Sequence, residues 1–396
     1  MAINTEKRNV LLGVAGSIAA YKSAELVRIL VSRGYSVKVM MTEAAEKFIG
    51  KATLEALSGH PVLRSFWEEN GSSDIEHIKH AQWADAIVIA PATAETISKI
   101  ARGAADNPLT ATVLASKAPL VIAPAMNVNM YENRRTQANI ETLKTEGVSF
   151  IGPNAGALAC GSTGKGRLAE PWDIFYAVRK ALSVQDLEGR KIVITAGMTR
   201  DSMDIMRDAT QISSTKLGVE IAREAYRRGA AVTLIHGGVR PKVPTPISCI
   251  EASVNTALKD AIVGSISEDN VANPDMIILA GLANQFRASG SGETLSFEAP
   301  VNVLKELGEK RGSEKLPLVI TFVVAVGETE ELFSKGRHLI DDTSMDVLVG
   351  KFAAEPVDLE SNELWLIDRA GRDAQISTTY RSRVASQILD RALRLI

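Results

Sequence analysis

The sequence predicts an α/β protein made of two Rossmann-like domains, each built on a parallel sheet. Residues 9–42 (NVLLGVAGSIAAYKSAELVRILVSRGYSVKVMMT) run from an apolar strand through a Gly-x-x-Gly-Ser turn into a helix with apolar spacing, then through Arg-Gly-Tyr into a second apolar strand. Residues 191–238 repeat that layout, with KIVITAGMTR, a long connection, and KLGVEIAREAYRRGAAVTLIHGG (216–238). Strand, glycine, helix and strand at this length make a βαβ unit, and two such starts imply two parallel-sheet domains. A chain of 396 residues accommodates both.

The remaining elements follow in order. ADAIVIAPATAE (84–95) and APLVIAPAMN (118–127) are apolar strands ending in Pro-Ala and polar residues. Helical spacing runs over 94–116 and 133–147. SFIGPNAGALACGSTGKGR (149–167) leaves a strand and enters a loop, and WDIFYAVRKAL (172–182) reads as a closing helix. SVQDLEGRK (183–191) is polar and reads as a linker, so domains are expected over 1–186 and 187–396. In the second, PDMIILAG (274–281), PLVITFVVAVG (317–327) and MDVLVG (345–350) read as strands. NELWLIDRAG (362–371) with a C-terminal helix reads as an edge hairpin and its cover.

Composition narrows the partners. Hydrophobic residues are 45% and charged residues 23%, with a formal net charge of −2, so no basic excess points to nucleic acid. No apolar run is long enough for a membrane span, and the N-terminus lacks the long apolar core of a signal peptide. Two cysteines, Cys160 and Cys249, make no disulfide framework, so a cytoplasmic protein with reduced thiols is expected. Its five histidines and two cysteines show no CxxC or HExxH spacing, and no metal site is expected.

Ligands of parallel α/β sheets sit outside the carboxyl ends of the strands. The polar residues there are Gly16 and Ser17, Thr42, Thr93 to Thr96, and Asn127. Gly16 and Ser17 open a helix, which suits a phosphate, but a tight βα turn with a serine cap reads the same way. The chain lacks GxGxxG after the first strand, against an ordinary dinucleotide fold. His77, in IEHIKHAQWAD (75–85), is either a helix-end histidine or a proton-handling group. Asn127 either caps the next short helix or contacts a ligand. Cys160 stands among glycines beside Lys165 and Arg167, an unusual place for a thiol. The same stretch fails as a P-loop, because Ala159 and Gly166 stand where a glycine and a hydroxyl are needed.

Six stretches in order resemble one family: GSIAAYK (16–22), MTEAAEKFI (41–49), HIKHAQWAD (77–85), PATAE (91–95), PAMNVNMY (124–131) and ACGSTGKGRLAEP (159–171). Over residues 8–180 the chain resembles the flavin-containing cysteine decarboxylases that act on phosphopantothenoylcysteine. As a whole it resembles the bifunctional decarboxylase–ligase family of coenzyme A biosynthesis. The resemblance implies that Gly16, Ser17, Ile18, Thr42, Thr93, Ala94, Glu95, Thr96 and Ala125 hold FMN. Glu95 stands where plant members carry asparagine. It also implies that His77 is essential, that Asn127 and Met130 contact the substrate, Asn127 at the carboxylate, and that Cys160 lies on a flap and donates a proton. The flavin supplies the redox step that makes carbon dioxide a leaving group, and the protein supplies placement and protons. The implied reaction takes 4'-phosphopantothenoyl-cysteine to 4'-phosphopantetheine. The implied assembly is a homo-oligomer, trimeric through the first domain and able to build dodecamers.

The second half departs from the family pattern. Met198 replaces a glycine in KIVITAGMTRDSMDIMR (191–207). In TQISSTKLG (210–218), Gln211 replaces an asparagine and Thr215 a glycine. ANQF (283–286) lacks the family's acidic residue, RASGSGETLSF (287–297) stands where a lysine-rich segment is expected, and VGKF (349–352) replaces Ala-Asn-Asp. A CTP–magnesium site needs lysines and a metal-binding acid to stabilise phosphoryl charge. The departures predict a degenerate ligase half, with Mg and CTP as cofactors only if it is active. Ser213, Ser214 and Lys216 are what remains of a possible nucleotide site. Two other readings stay open: decarboxylation of a peptidyl C-terminal cysteine, and a non-catalytic flavin-binding regulatory subunit. The intact His77, Asn127 and Cys160 set argues against the second.

Overall fold

A computed structural model describes residues 8–66, 75–157, 161, 163–197, 210–238, 240–266, 273–287, 298–311, 317–326, 329–343, 345–353, 363–377 and 380–396. The chain forms two compact units, Met1–Ser183 and Val184–Ile396.

The first unit holds a five-stranded parallel sheet: β1 (Asn9–Val14), β2 (Ser36–Met41), β3 (Ala86–Ala92), β4 (Leu120–Pro124) and β5 (Ser149–Phe150), in the order β2-β1-β3-β4-β5. The inner strands read as continuous apolar runs because helices cover both their faces. Alternate residues feed two cores. Val10, Leu12 and Val14 pack with Leu26 and Leu30 of α1 (Lys22–Ser32), Leu54 of α2 (Lys51–Ser58) and Phe175 of the closing helix, Pro171–Ala181. On the opposite face Leu11, Ile87 and Ile89 pack with Ile97, Leu109 and Ile140. Those three come from helices Ala94–Ala101, Pro108–Ala115 and Arg134–Thr145. A further helix, α3 (Glu76–Trp83), adds Trp83 to the same core.

Two stretches differ from the sequence expectation. The helical spacing over 94–116 is two helices, because Asn107 accepts a hydrogen bond from Thr110 N at 3.1 Å and caps a new helix with Pro108 in its first turn. Residues 149–167 are more than a loop: Asn154–Ala157 (β6) and Thr163–Arg167 (β7) pair as an antiparallel hairpin. Glycines and polar residues hid its alternation.

In the second unit an eight-stranded sheet runs β10-β9-β8-β11-β12-β13-β14-β15. Its strands are β8 (Lys191–Ala196), β9 (Ala231–His236), β10 (Ser248–Glu251), β11 (Met276–Arg287), β12 (Leu318–Val326), β13 (Val347–Ala353), β14 (Glu363–Asp368) and β15 (Ala374–Ser377). The first six in chain order are parallel and lie 3-2-1-4-5-6, the order of dinucleotide-binding folds. β14 and β15 are antiparallel and close one edge, as the hairpin reading of 362–371 expects. The helix Thr210–Arg227 starts before the expected residue 216 and takes in Ser213 and Ser214. Gly218 lets it approach β8, since a Cβ there would lie 2.7 Å from the Thr195 carbonyl oxygen. The α/β class with two parallel-sheet units is therefore the observed one.

Candidate functional site

In the first sheet, β2 lies on one side of β1, and β3, β4 and β5 lie on the other. The winding thus reverses between β1 and β3, which leaves a crevice at their carboxyl ends; in sheets of this order that is where a flavin nucleotide sits. Backbone hydrogen bonds draw the strand ends together there. Thr42 N donates to Val14 O at 3.0 Å, Ala15 N to Pro91 O at 3.1 Å, and Ala125 N to Ala92 O at 2.9 Å. Met126 N then donates to Gly166 O at 3.0 Å, which fastens the β6–β7 hairpin to the end of β4. Gly16, Ser17, Thr42, Thr93 to Thr96, Ala125 and Asn127 are thereby gathered along one edge.

Each position has a local cause. Ser17 has extended backbone and caps the 3₁₀ turn Ile18–Tyr21, its Oγ accepting from Ala19 N at 3.3 Å. Ile18 itself is exposed. Gly16 has no room for a side chain, because a Cβ would lie 2.4 Å from the Ala44 Cβ. Thr93 caps the helix Ala94–Ala101, accepting from Thr96 N at 3.3 Å, with the two hydroxyls 3.1 Å apart. Glu95 is exposed and pairs with Lys99 at 3.3 Å. Thr42 differs from the others: its Oγ1 is buried and has no hydrogen-bond partner among the described residues. A buried hydroxyl left unpaired costs about 1–3 kcal/mol.

His77 lies in the first turn of α3, half-buried, with its ring edge-on to Phe66 at 5.3 Å between centroids. Phe66 gave no sequence signal. It follows Leu63, which bridges Met40 and so carries the chain past the carboxyl end of β2. Asn127 caps the short helix Val128–Glu132, its Oδ1 accepting from Asn129 N at 2.8 Å, while Met130 on that helix is exposed. The hairpin closes on this helix, since a Cβ on Gly164 would lie 2.7 Å from a Val128 methyl. Cys160 falls between β6 and β7 and lies outside the described residues. In the second unit Lys216 is exposed, and the Ser213 and Ser214 side chains lie outside the described set, as does Met198. ANQF lies within β11, where the register to β12 shifts between Leu279 and Asn284, and Val349–Phe352 lies within β13.

Comparison with known proteins shows the family of the chain. Residues 2–183 match the Flavoprotein family, and residues 187–395 match the DNA/pantothenate metabolism flavoprotein C-terminal domain. The coenzyme A biosynthesis bifunctional protein CoaBC of Bacillus subtilis (strain 168) is 38% identical over 351 residues, covering 86% of this chain and 85% of its own. The chain belongs to the bifunctional coenzyme A biosynthesis protein family. The Vibrio cholerae member is 33% identical over 394 residues, 96% of this chain and 97% of its own. A solved PPC decarboxylase mutant, complexed with pantothenoylaminoethenethiol, is 35% identical and covers 44% of this chain and 97% of its own, with a TM-score of 0.40. The first unit is thus the flavoprotein half of this bifunctional family, and the second its C-terminal DFP half. Among the described residues no helix is long and apolar enough to cross a membrane.

Proposed function

We propose that this protein is an FMN-dependent decarboxylase converting 4'-phosphopantothenoyl-cysteine to 4'-phosphopantetheine in coenzyme A biosynthesis, with a ligase half that is weak or inactive. The observation that carries the reading is the buried Thr42 hydroxyl, without a partner among the described residues, at the edge where the first sheet reverses its winding. A polar ligand there would supply the missing partner. Membership of the Flavoprotein family and the relatives named for coenzyme A biosynthesis point the same way.

The residues fit the cofactor. Gly16, Ser17 and Ile18 open a helical turn whose N–H groups suit a phosphate, and Thr93, Ala94, Glu95 and Thr96 open another. Thr42 supplies a hydroxyl, and Ala125 a small buried wall. When bound, the flavin supplies the hydride chemistry that turns the cysteine carboxylate into a leaving group. His77 handles a proton near the reacting carbon, a role suited to imidazole near neutral pH. Asn127, with its Oδ1 engaged in capping, presents an amide that orients the substrate carboxylate without adding charge, and Met130 packs on the substrate. Cys160, which follows β6 in the sequence, would protonate the carbon that lost carbon dioxide, the reduced flavin supplying the hydride that completes the saturated thiol. The protein acts in the cytoplasm as a homo-oligomer, trimeric through its first unit and able to assemble further through its second.

In the second unit, ANQF and Val349–Phe352 supply no acid where the family carries one, so a magnesium–CTP complex lacks its anchor. Ser213, Ser214 and Lys216, which fall within the helix Thr210–Arg227, are what remains of a nucleotide site. The test is mass spectrometry of the reaction with 4'-phosphopantothenoyl-cysteine. Loss of carbon dioxide alone, giving phosphopantetheine, is expected; an unchanged substrate with flavin-loaded protein overturns the reading. CTP, phosphopantothenate, cysteine and magnesium should give no condensation product, and robust product would restore the ligase.

A further inference from the structure

We propose that the first unit carries a second ligand site, a cavity at the outer edge of β2 that binds a phosphate group between Lys38 Nζ and His80 Nε2. The cavity has a volume of about 500 Å³, and its walls include Lys38, Lys51, Arg64, His60, Glu76 and His80. Its position follows from the fold. Leu63 N donates to Val39 O at 3.1 Å and Met41 N to Leu63 O at 3.0 Å, so residues 62–64 extend the sheet beyond its edge strand. Helix α2 brings Lys51 from one face, and α3 brings Glu76 and His80 from the other. None of the carboxyl-edge residues assigned above to flavin or substrate lines it.

Two groups give the cavity its chemistry. The Lys38 ammonium lies 4.6 Å from the Trp83 ring centroid, and no carboxylate among the described residues is within ion-pair distance of it. A ring face compensates only part of a desolvated charge. Burial holds this ammonium below the usual lysine range, with Glu76 opposing that shift. The Glu76 carboxylate is itself shared between Lys79 at 3.5 Å and the His80 ring at 3.7 Å. His80 is 7% exposed, and its Nδ1 lies 2.7 Å from the Glu76 carbonyl oxygen. A carbonyl can only accept, so Nδ1 carries the proton and Nε2 keeps a lone pair. Burial, the largest influence, pushes the His80 pKa down and favours this neutral form.

The cavity therefore presents a cationic donor and a neutral acceptor together. A hydrogen phosphate group matches both: its anionic oxygens accept from Lys38, and its P–OH donates to His80 Nε2. With a second pKa of about 6, a phosphate monoester is mostly dianionic at pH 7 and carries the P–OH in a fraction that grows as pH falls towards 6, so binding should strengthen over that range. Sulfate and carboxylates offer acceptors only. Arg64 and Lys51 add positive field, although each also pairs with a glutamate, at 3.3 and 3.9 Å. The volume leaves room for the organic part of a phosphate monoester.

The experiment uses full-length, flavin-loaded protein labelled with 5-fluorotryptophan, the Trp83 resonance being assigned from Trp83→Phe. Inorganic phosphate, glycerol 3-phosphate, sulfate and malonate are titrated separately. The expected result is a saturable shift of the Trp83 signal with phosphate, about tenfold weaker with sulfate or malonate. Lys38→Met and His80→Leu should each weaken phosphate binding by about tenfold or more, and Lys38→Arg should keep it. Tighter binding of glycerol 3-phosphate identifies a monoester as the ligand, and tighter binding of inorganic phosphate identifies the free ion; both support the site. Absence of a saturable shift with either, an equal response to sulfate, or unchanged binding in both Lys38→Met and His80→Leu overturns it.

Discussion

A Cβ on Gly16 would stand 2.4 Å from the Cβ of Ala44, so the turn after β1 and the turn after β2 meet with only a hydrogen between them. Ala44 cannot swing aside, because its Cβ is fixed to the backbone beside a 3₁₀ turn, Ala45–Lys47. Gly16→Ala should force these turns apart, costing about 1–3 kcal/mol of stability. It should also lower flavin retention, read as the ratio of flavin to protein absorbance after gel filtration. Wild-type retention would remove this turn from the cofactor site.

Thr42→Val tests the orphaned hydroxyl with two readouts of opposite sign. The side chains have the same shape, and the buried Oγ1 has no partner among the described residues to lose. Flavin-free protein should gain about 1 kcal/mol, while flavin affinity should fall about tenfold. Urea melts and flavin titration measure the two. Unchanged flavin affinity would leave the hydroxyl without a cofactor role.

His77→Asn should retain flavin and lose turnover by about a hundredfold or more, the usual size of a general acid–base contribution. Its ring rests against Phe66, so Phe66→Ala should lower kcat by loosening the imidazole while the flavin spectrum stays unchanged. Near-normal turnover of His77→Asn would take the histidine out of the chemistry.

Cys160→Ser should divert the reaction to the unsaturated enethiol, seen by mass spectrometry as a product two hydrogens lighter. A clean saturated product would assign the proton to another acid.

The second unit predicts an acid-sensitive fold. Arg228 is buried and donates to both Asp186 oxygens, at 2.8 and 2.6 Å, and to Asp390 at 2.6 Å. Hydrogen bonds from Arg228 are the largest cause holding the Asp186 carboxyl below its ordinary value of 3.8. A depressed carboxylate stabilises the fold fully above its unfolded pKa, and that contribution disappears as pH falls through the folded pKa. The second unit should therefore lose urea resistance below about pH 4, and Asp186→Asn should flatten that dependence. Arg228→Met removes the shared partner of two partly exposed carboxylates, which water still solvates, and should cost about 1–2 kcal/mol.

The sequence by itself determined the two parallel sheets, because central strands buried on both faces must be written as unbroken apolar runs such as AIVIAPA (86–92). It also determined which residues lie at strand ends, since Ser17, Thr42, Thr93 and Asn127 each follow such a run within a few positions. The split of 94–116 into two helices rests on one side-chain cap, and the hairpin of 154–167 on pairing between glycine-rich strands; neither leaves a periodic trace. Only the tertiary structure decided that Phe66 meets His77, that Met126 fastens the hairpin to β4, and that the Thr42 hydroxyl has no partner among the described residues. It alone also brought Lys38 and His80 to one cavity from a strand and a helix about forty residues apart. Local spacing encodes which face of an element is buried. Which side chains meet across elements, and which polar atom is left unpaired, depends on strand order and close packing, and these exist only once the whole sheet has formed.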